Sequence, residues 1–342
     1  MSGKHLGKQT IIMQNPPYIA SGACIVGTKE GRGPLKNWFD LISNDTYFGE
    51  KSWEKAESTM LKQSFGIACD KAKIAPSDLQ YIFAGDLLNQ CTSSTFALRE
   101  SGVPFFGLFG ACSTMGEGLS LAAMTIDGGF ADAVCAMTSS HFCSAERQFR
   151  LPLEYGGQRT PTAQWTVTGA GAVVLKRCGQ TGPHITHVTT GRIVDAGIVD
   201  AANMGAAMAP AALETIMTHL EDTGRSSEYY DAIITGDLGL LGHNILMELF
   251  EAEGLKYPKI FTDCGVLIYD IPAQDAHAGG SGCGCSASVF AGYILHNMLE
   301  GIWNKVLFCP TGALMSPTTS MQGESIPGIC HAVAIENIQE VQ

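Results

Sequence analysis

The chain contains no run of about 18 uninterrupted apolar residues, the length a bilayer-spanning helix needs, so no segment of it is expected to cross a membrane. Charge is scarce as well. Only 16% of the 342 residues are Asp, Glu, Lys or Arg, and 33 acidic against 21 basic side chains leave a formal net charge of −12. No stripe of Lys and Arg that would neutralise phosphates is present, which argues against nonspecific nucleic-acid binding; an anionic ligand would need a local cationic pocket. Paired Cys-x-x-Cys spacing is missing despite 12 cysteines, so a structural zinc site is not expected. The opening Met1-Ser2-Gly3-Lys4-His5 lacks the apolar core of a signal peptide. Cys135, Cys309 and Cys330 fall inside apolar strands, and others fall in glycine-rich turns, so a reducing compartment is expected.

What is present is a globular composition, 45% hydrophobic, long enough for two domains or two halves of one unit. The first fifty residues read as irregular, with Pro16-Pro17 and Gly31-Arg32-Gly33-Pro34, and an amphipathic helix follows over Trp53 to Lys73. From Leu79 strands and helices alternate, the signature of α/β layering. A buried strand ends in Gly85-Asp86-Leu87, a short helix covers Ser93 to Ser101, a strand runs from Pro104 to Phe109, a helix fills Ser113 to Asp127, and Ala131 to Met137 is a strand. The segment from Thr138 to Thr168 breaks this rhythm and reads as a flap over a site, carrying His141, Arg147, Arg150 and Arg159.

Cys112 stands at the strand-to-helix junction Phe109-Gly110-Ala111-Cys112-Ser113-Thr114. Small residues before it permit a tight turn, and a helix N-terminus would stabilise a thiolate there. The plainer reading is a buried small residue. Asp86 and His141 follow neighbouring strands and should open on the same side of the sheet, where α/β folds bind ligands; a helix cap and a loop hydrogen bond are their plainer readings. Arg147, Arg150 and Arg159 are candidates for steering an anion, or else pair with Glu146 and Glu154 in a solvated flap.

The second half repeats the first. Cys285-Ser286 opens a small-residue helix 173 positions after Cys112-Ser113. Ala232 to Leu238 echoes the strand ending in Gly85-Asp86-Leu87, Lys305 to Cys309 matches Ala131 to Cys135, and Ala332 to Ile335 matches Ala172 to Leu175. A duplicated unit with halves at 1–180 and 181–342, related by a pseudo-twofold axis, would bring the two Cys-Ser helix starts together at the centre.

Paired halves with a cysteine at the start of a buried helix resemble the thiolase and ketoacyl-synthase superfamily, which implies a layered αβαβα fold. In its condensing enzymes the cysteine takes an acyl group, assisted by a histidine and by an asparagine or second histidine from the second half. Here Gly236-Asp237-Leu238 stands where a histidine is expected, and Gly279-Gly280-Ser281-Gly282-Cys283-Gly284-Cys285-Ser286 replaces the asparagine-bearing turn. His277 precedes that turn, followed by Ala278 where the thiolase pattern has proline.

The stretches Ala84-Gly85-Asp86-Leu87-Leu88-Asn89-Gln90, Leu108 to Thr114, Thr138-Ser139-Ser140-His141, Ala145 to Arg150 and Ala278 to Cys283 are similar, more specifically, to the stage V sporulation protein AD family. That resemblance implies a thiolase-like protein without condensation chemistry that binds dipicolinic acid, free or with calcium, and helps load it into the developing spore. It implies a homodimer working with membrane proteins of the same transport system, peripheral at the spore inner membrane, with no cofactor. Asp86, Cys112, Ser113, Ser140, His141, Arg147 and Arg150 are then the candidate ligand-binding residues. An acyl-thioester condensing enzyme with Cys112 as nucleophile is the competing reading.

Overall fold

The computed structural model describes residues 3–149, 159–177 and 181–338. In the first half, β1 (Tyr18–Val26) precedes α1 (Trp53–Ala72), β2 (Tyr81–Gly85), α2 (Thr92–Leu98) and β3 (Phe105–Leu108). Then come α3 (Thr114–Asp127), β4 (Ala133–Ser140), α4 (Phe142–Phe149) and β5 (Gly169–Lys176). The second half holds β6 (Gly182–Thr189), α5 (Met204–Thr223), β7 (Ala232–Gly236), α6 (Gly239–Ala252) and β8 (Ile260–Asp263), then α7 (Cys283–Val289), β9 (Lys305–Ala313) and β10 (Ala332–Ile338).

The strands follow one path in the order β8-β7-β9-β10-β6-β1-β5-β4-β2-β3. Read outward from the middle, each half repeats the other: β6 and β1 meet at the centre, then β10 and β5, β9 and β4, β7 and β2, with β8 and β3 at the edges. Pairing directions repeat too. β2 is parallel to β3 and β4, as β7 is to β8 and β9, while β5 and β10 run antiparallel to their neighbours. The halves join along β6, where His184 lies opposite Tyr18 and the short stretch Thr10–Ile12 pairs antiparallel with His187 to Thr189.

Three apolar clusters make the layers. Met60, Leu61 and Phe65 of α1 pack on Ile82 and Ala172, and Ile216, Leu246 and Phe250 of α5 and α6 pack on Ile233 and Ala334. Between the halves, Met115 and Leu119 of α3 and Val289 of α7 pack with Phe290, Phe83 and Phe308. The result is an αβαβα arrangement with α3 and α7 in the middle layer. Phe290 and Phe308 are fully buried with ring centroids 4.7 Å apart, each contributing about 1.5–3 kcal/mol by burial.

The early chain is not irregular: β1 is a nine-residue central strand. Its apolar pattern is interrupted by Ala20, Ser21 and Gly22 because a helix lies against it. A Cβ at Gly22 would fall 2.7 Å from Leu295 Cδ2 and 3.1 Å from the Ala291 carbonyl oxygen. The flap is partly regular, since β4 extends to Ser140 and α4 follows at once. The second helix start also differs in register, because α7 begins at Cys283 and Cys285 lies within its first turn.

Candidate functional site

Cys112 sits on a strained elbow. Ala111 takes φ +51°, a left-handed conformation uncommon outside glycine. Gly110 N donates to Thr114 Oγ1 at 3.0 Å, Ser113 Oγ to Gly110 O at 2.7 Å, and Thr114 Oγ1 to Ala111 O at 2.7 Å. β9 presses on the elbow from the other half: a Cβ on Gly312 would lie 2.3 Å from Gly110 O and 3.1 Å from Cys112 N. Only glycine fits there.

Cys112, 7% exposed, forms part of the wall of a cleft of about 210 Å³ between the halves. Phe109 and Phe149 supply aromatic surface, and Asn89, Gln148, Thr166, Ser281 and Ser316 supply polar groups. Thr166 and Ser281 are brought side by side by a short parallel pairing of Trp165–Thr166 with Gly280–Ser281. The face of Trp165 is covered by Phe142, stacked at 4.0 Å.

The electrostatics are not those of an activated thiol. Burial pushes the Cys112 thiol well above its usual range, and the Asp237 carboxyl adds to this. The expected thiolate stabilised by a helix N-terminus is therefore overturned: α3 starts two residues later, and desolvation outweighs its dipole. Asp237 is fully buried at φ +77°, and burial followed by the charge of Asp263 holds its carboxyl well above the carboxylate range. Ser286 and Cys285 face it, yet neither Asp237 oxygen makes a geometrically sound hydrogen bond. Asp263, pushed up to about 7 by burial, is in contrast fully served. It accepts from Thr235 Oγ1 at 2.8 Å, Leu238 N at 3.1 Å, Gly239 N at 2.9 Å and Gly265 N at 2.8 Å.

Of the seven candidate residues, the structure brings Cys112 to the cleft wall. Asp86 is buried behind it: Oδ1 accepts from Leu88 N at 3.0 Å, and Oδ2 from Ser94 N at 2.8 Å and Ser94 Oγ at 2.7 Å. It thereby fixes the loop that presents Leu87 and Asn89 to the cleft. Ser113 closes the elbow as described. Ser140 donates to Val167 O at 2.7 Å and accepts from Gly284 N at 3.1 Å, tying β4 to the start of α7. His141, its pKa lowered by burial, bonds Thr46 O through Nε2 at 2.8 Å and accepts from Cys143 N at 3.2 Å. Arg147 is ion-paired with Glu54 at 3.0 Å and lies over Trp53, and Arg150 lies outside the described residues. Arg159 covers Trp165 and donates to Asp275 O at 2.7 Å. Glu146 turns inward to Thr166, and Glu154 lies outside the described residues.

The polar wall was missed in the sequence. Asn89 and Ser281 adjoin stretches already singled out, and Gln148 and Thr166 lie in the flap, but no periodicity marks which of them face the cleft.

Residues 7–336 match the model of the stage V sporulation protein AD family. The chain is 43% identical over 334 residues to stage V sporulation protein AD of Bacillus subtilis (strain 168), covering 97% of this chain and 98% of that protein. This chain belongs to the stage V sporulation protein AD family. Its fold extends beyond that family. 3-Oxoacyl-[acyl-carrier-protein] synthase III from Aquifex aeolicus VF5 superposes with a TM-score of 0.59 at 15% identity, over 94% of this chain and 99% of that one. A variant of OleA from Xanthomonas campestris gives 0.61 at 14% identity, over 95% and 99%. This member of the stage V sporulation protein AD family thus has the fold of the condensing enzymes. Among the described residues no helix is long and apolar enough to cross a membrane.

Proposed function

We propose that this protein binds dipicolinic acid, free or as its calcium chelate, in the cleft beside Cys112 and serves its uptake into the developing spore. The reading is of a binding protein on a condensing-enzyme fold, not of an acyl-transfer enzyme. The observation that carries it is the cleft itself, which sets two aromatic side chains and five neutral polar ones around a buried thiol, with no histidine or carboxylate among the described lining residues. A flat pyridine offers its faces to Phe109 and Phe149, and its carboxylates offer acceptors to amide and hydroxyl donors. Asp86, Ser113, Ser140 and His141 act by holding the walls in place. Membrane proteins of the same transport system are its partners in this reading, with the protein peripheral at the spore inner membrane and dimeric.

Calorimetry of the purified protein with dipicolinate, calcium dipicolinate and an acyl-thioester tests it. Saturable binding of either dipicolinate form, with pyridine monocarboxylates much weaker, supports the proposal. Heat from the thioester alone, accompanied by an acyl adduct at Cys112, favours the condensing enzyme.

A further inference from the structure

Beside the cleft the second half exposes apolar side chains that its own core does not use. Two segments, 191–203 and 314–328, lie against each other there. Val194 N donates to Gly328 O at 2.9 Å, Ile326 N to Ile198 O at 2.7 Å, and Ser325 Oγ to Asp195 Oδ2 at 2.6 Å. Val194 and Ile198 pack on the apolar cluster beneath α5 and α6. Their neighbours Ile193 and Val199 are left 63% and 62% exposed, and Met321, at the end of the short helix Pro317–Met321, is 78% exposed. Met315, Ser316 and Pro317 of the second segment, with Met204 at the start of α5, line the cleft itself. Exposed apolar side chains grouped at the rim of a cleft mark a contact surface.

The charge around them is of one sign. Asp195, Asp200 and Glu324 are exposed in these segments, whose single basic residue, Arg192, is paired with Glu214 at 2.7 Å. The imbalance extends through the half: beyond residue 180 stand 18 of the 33 acidic side chains and only five of the 21 basic ones, while the first half is close to balance. We propose that this rim is a docking surface for a basic, apolar-bearing loop of an integral-membrane partner, seated over Ile193, Val199 and Met321 with its Lys or Arg side chains against Asp195, Asp200 and Glu324. The proposal rests on the binding reading above for the class of partner. Charge selects among the possible occupants. A second copy meeting through this face would set the three carboxylates against their own kind across a twofold axis, and the anionic cytoplasmic leaflet of a bilayer would be repelled by them. Cytoplasmic loops of membrane proteins carry an excess of Lys and Arg instead. An apolar centre with a charged rim is also the usual anatomy of a protein interface. A loop seated there abuts Met315 and Pro317, so the partner stands next to the cleft from which it would receive the bound acid, or to which it would deliver it.

The test uses the full-length protein and membranes of the sporulating cells that make it, washed free of peripheral proteins. The photo-crosslinking residue p-benzoylphenylalanine replaces Val199, or Phe130 on the first half, which is 74% exposed, as a control. Irradiation at position 199 gives an adduct with an integral-membrane protein, joined at a Lys- or Arg-bearing loop between its spans, and position 130 does not. Adducts only with lipid or with a second copy of this chain, adducts equal to those of the control, or no adduct at all overturn the proposal. Sedimentation with the same membranes is the second measurement. Retention falls as salt is raised from about 0.05 M to about 0.5 M, and Val199→Ser and Glu324→Lys each lower it about tenfold at the lower salt. Protein-free phosphatidylglycerol vesicles retain little of the protein. Equal retention on those vesicles, or unchanged retention of both variants at an unchanged melting temperature, overturns the proposal. Neither Val199 nor Glu324 lines the cleft, so both variants bind dipicolinate as the unaltered protein does. Failure of the binding reading shows as absence of dipicolinate heat in all three proteins, and the membrane result is read independently of it.

Discussion

The Glu146 carboxylate accepts the Thr166 hydroxyl at 2.9 Å, and this bond ties the helix on one side of the cleft to the strand on the other. Both residues are buried, and Thr166 itself lines the cleft. Thr166→Val removes the hydroxyl donor and leaves Glu146 Oε1 the Thr166 backbone N–H at 3.4 Å. The expected cost is about 1 kcal/mol of stability, the net worth of one hydrogen bond, together with weaker dipicolinate binding. Thermal melts and calorimetry on the same variant measure the two effects.

Asp86→Ala loosens the Leu87–Asn89 loop without removing a group from the cleft surface. Three hydrogen bonds to the carboxylate disappear, two from backbone amides that then lack a partner. Dipicolinate affinity should fall about tenfold, equivalent to about 1.4 kcal/mol. Titration calorimetry on a variant that keeps its cooperative melt separates this from unfolding.

Glu57 provides a pH signature. It is fully buried, accepts Ser139 Oγ at 3.0 Å and Ser144 Oγ at 2.6 Å, and has its pKa raised to about 8 by burial, with the Asp86 charge adding to the shift. The folded protein therefore holds a proton that the unfolded chain has released. Glu57 favours folding least at alkaline pH: its contribution is greatest below the ordinary carboxyl value near 4.5, declines as pH rises, and is lost by about 8. Glu57→Gln keeps both hydroxyls paired and removes the titration. Melting temperatures recorded between pH 5 and 8 should decline less in this variant, by roughly 2–4 °C at the upper end.

Among the described residues no strand lies beside the outer edge of β3, where Phe106 is 52% exposed and stacks on Phe83 with centroids 5.2 Å apart. An apolar open edge of this kind favours pairing with a second copy across a twofold axis. Light scattering should give a dimer, and Phe106→Lys should shift it to monomer. A protein that is monomeric at all concentrations would defeat this.

Incubation with acetyl- and malonyl-thioesters should leave the intact mass unchanged. Burial raises both the Cys112 thiol and the Asp237 carboxyl after β7 well above their usual ranges, which disfavours a thiolate there. A mass gain lost in Cys112→Ala would reverse that expectation.

The duplicated architecture was legible because its landmarks are local: β4 and β9 carry apolar runs over Ala133 to Met137 and Val306 to Cys309, and glycine-rich junctions punctuate the chain. β1 escaped notice because Ala20 to Ala23 answer to a helix that arrives 270 residues later in the chain, and such long-range packing leaves only small residues as its trace. Cys112 was placed correctly by its elbow, whereas its ionisation was not, since desolvation depends on groups from the other half. Asp86 and His141 were read as facing the ligand. Their strand-end positions are as expected, but their polar atoms are taken by Leu88, Ser94, Thr46 and Cys143, and hydrogen-bond direction is set by loops that periodicity does not describe.

The seam between the halves has a mechanical consequence. Tyr18 and the stretch Thr10–Ile12 of the first half pair along β6 of the second, so a backbone ladder and the side-chain packing of α3 and α7 fix the relative set of the halves together. The cleft takes Asn89, Cys112 and Gln148 from one half and Ser281, Ala313 and Met315 from the other. Because the walls come from halves already laced together by backbone, the spacing across the cleft is set before anything enters it, and an occupant has little left to order.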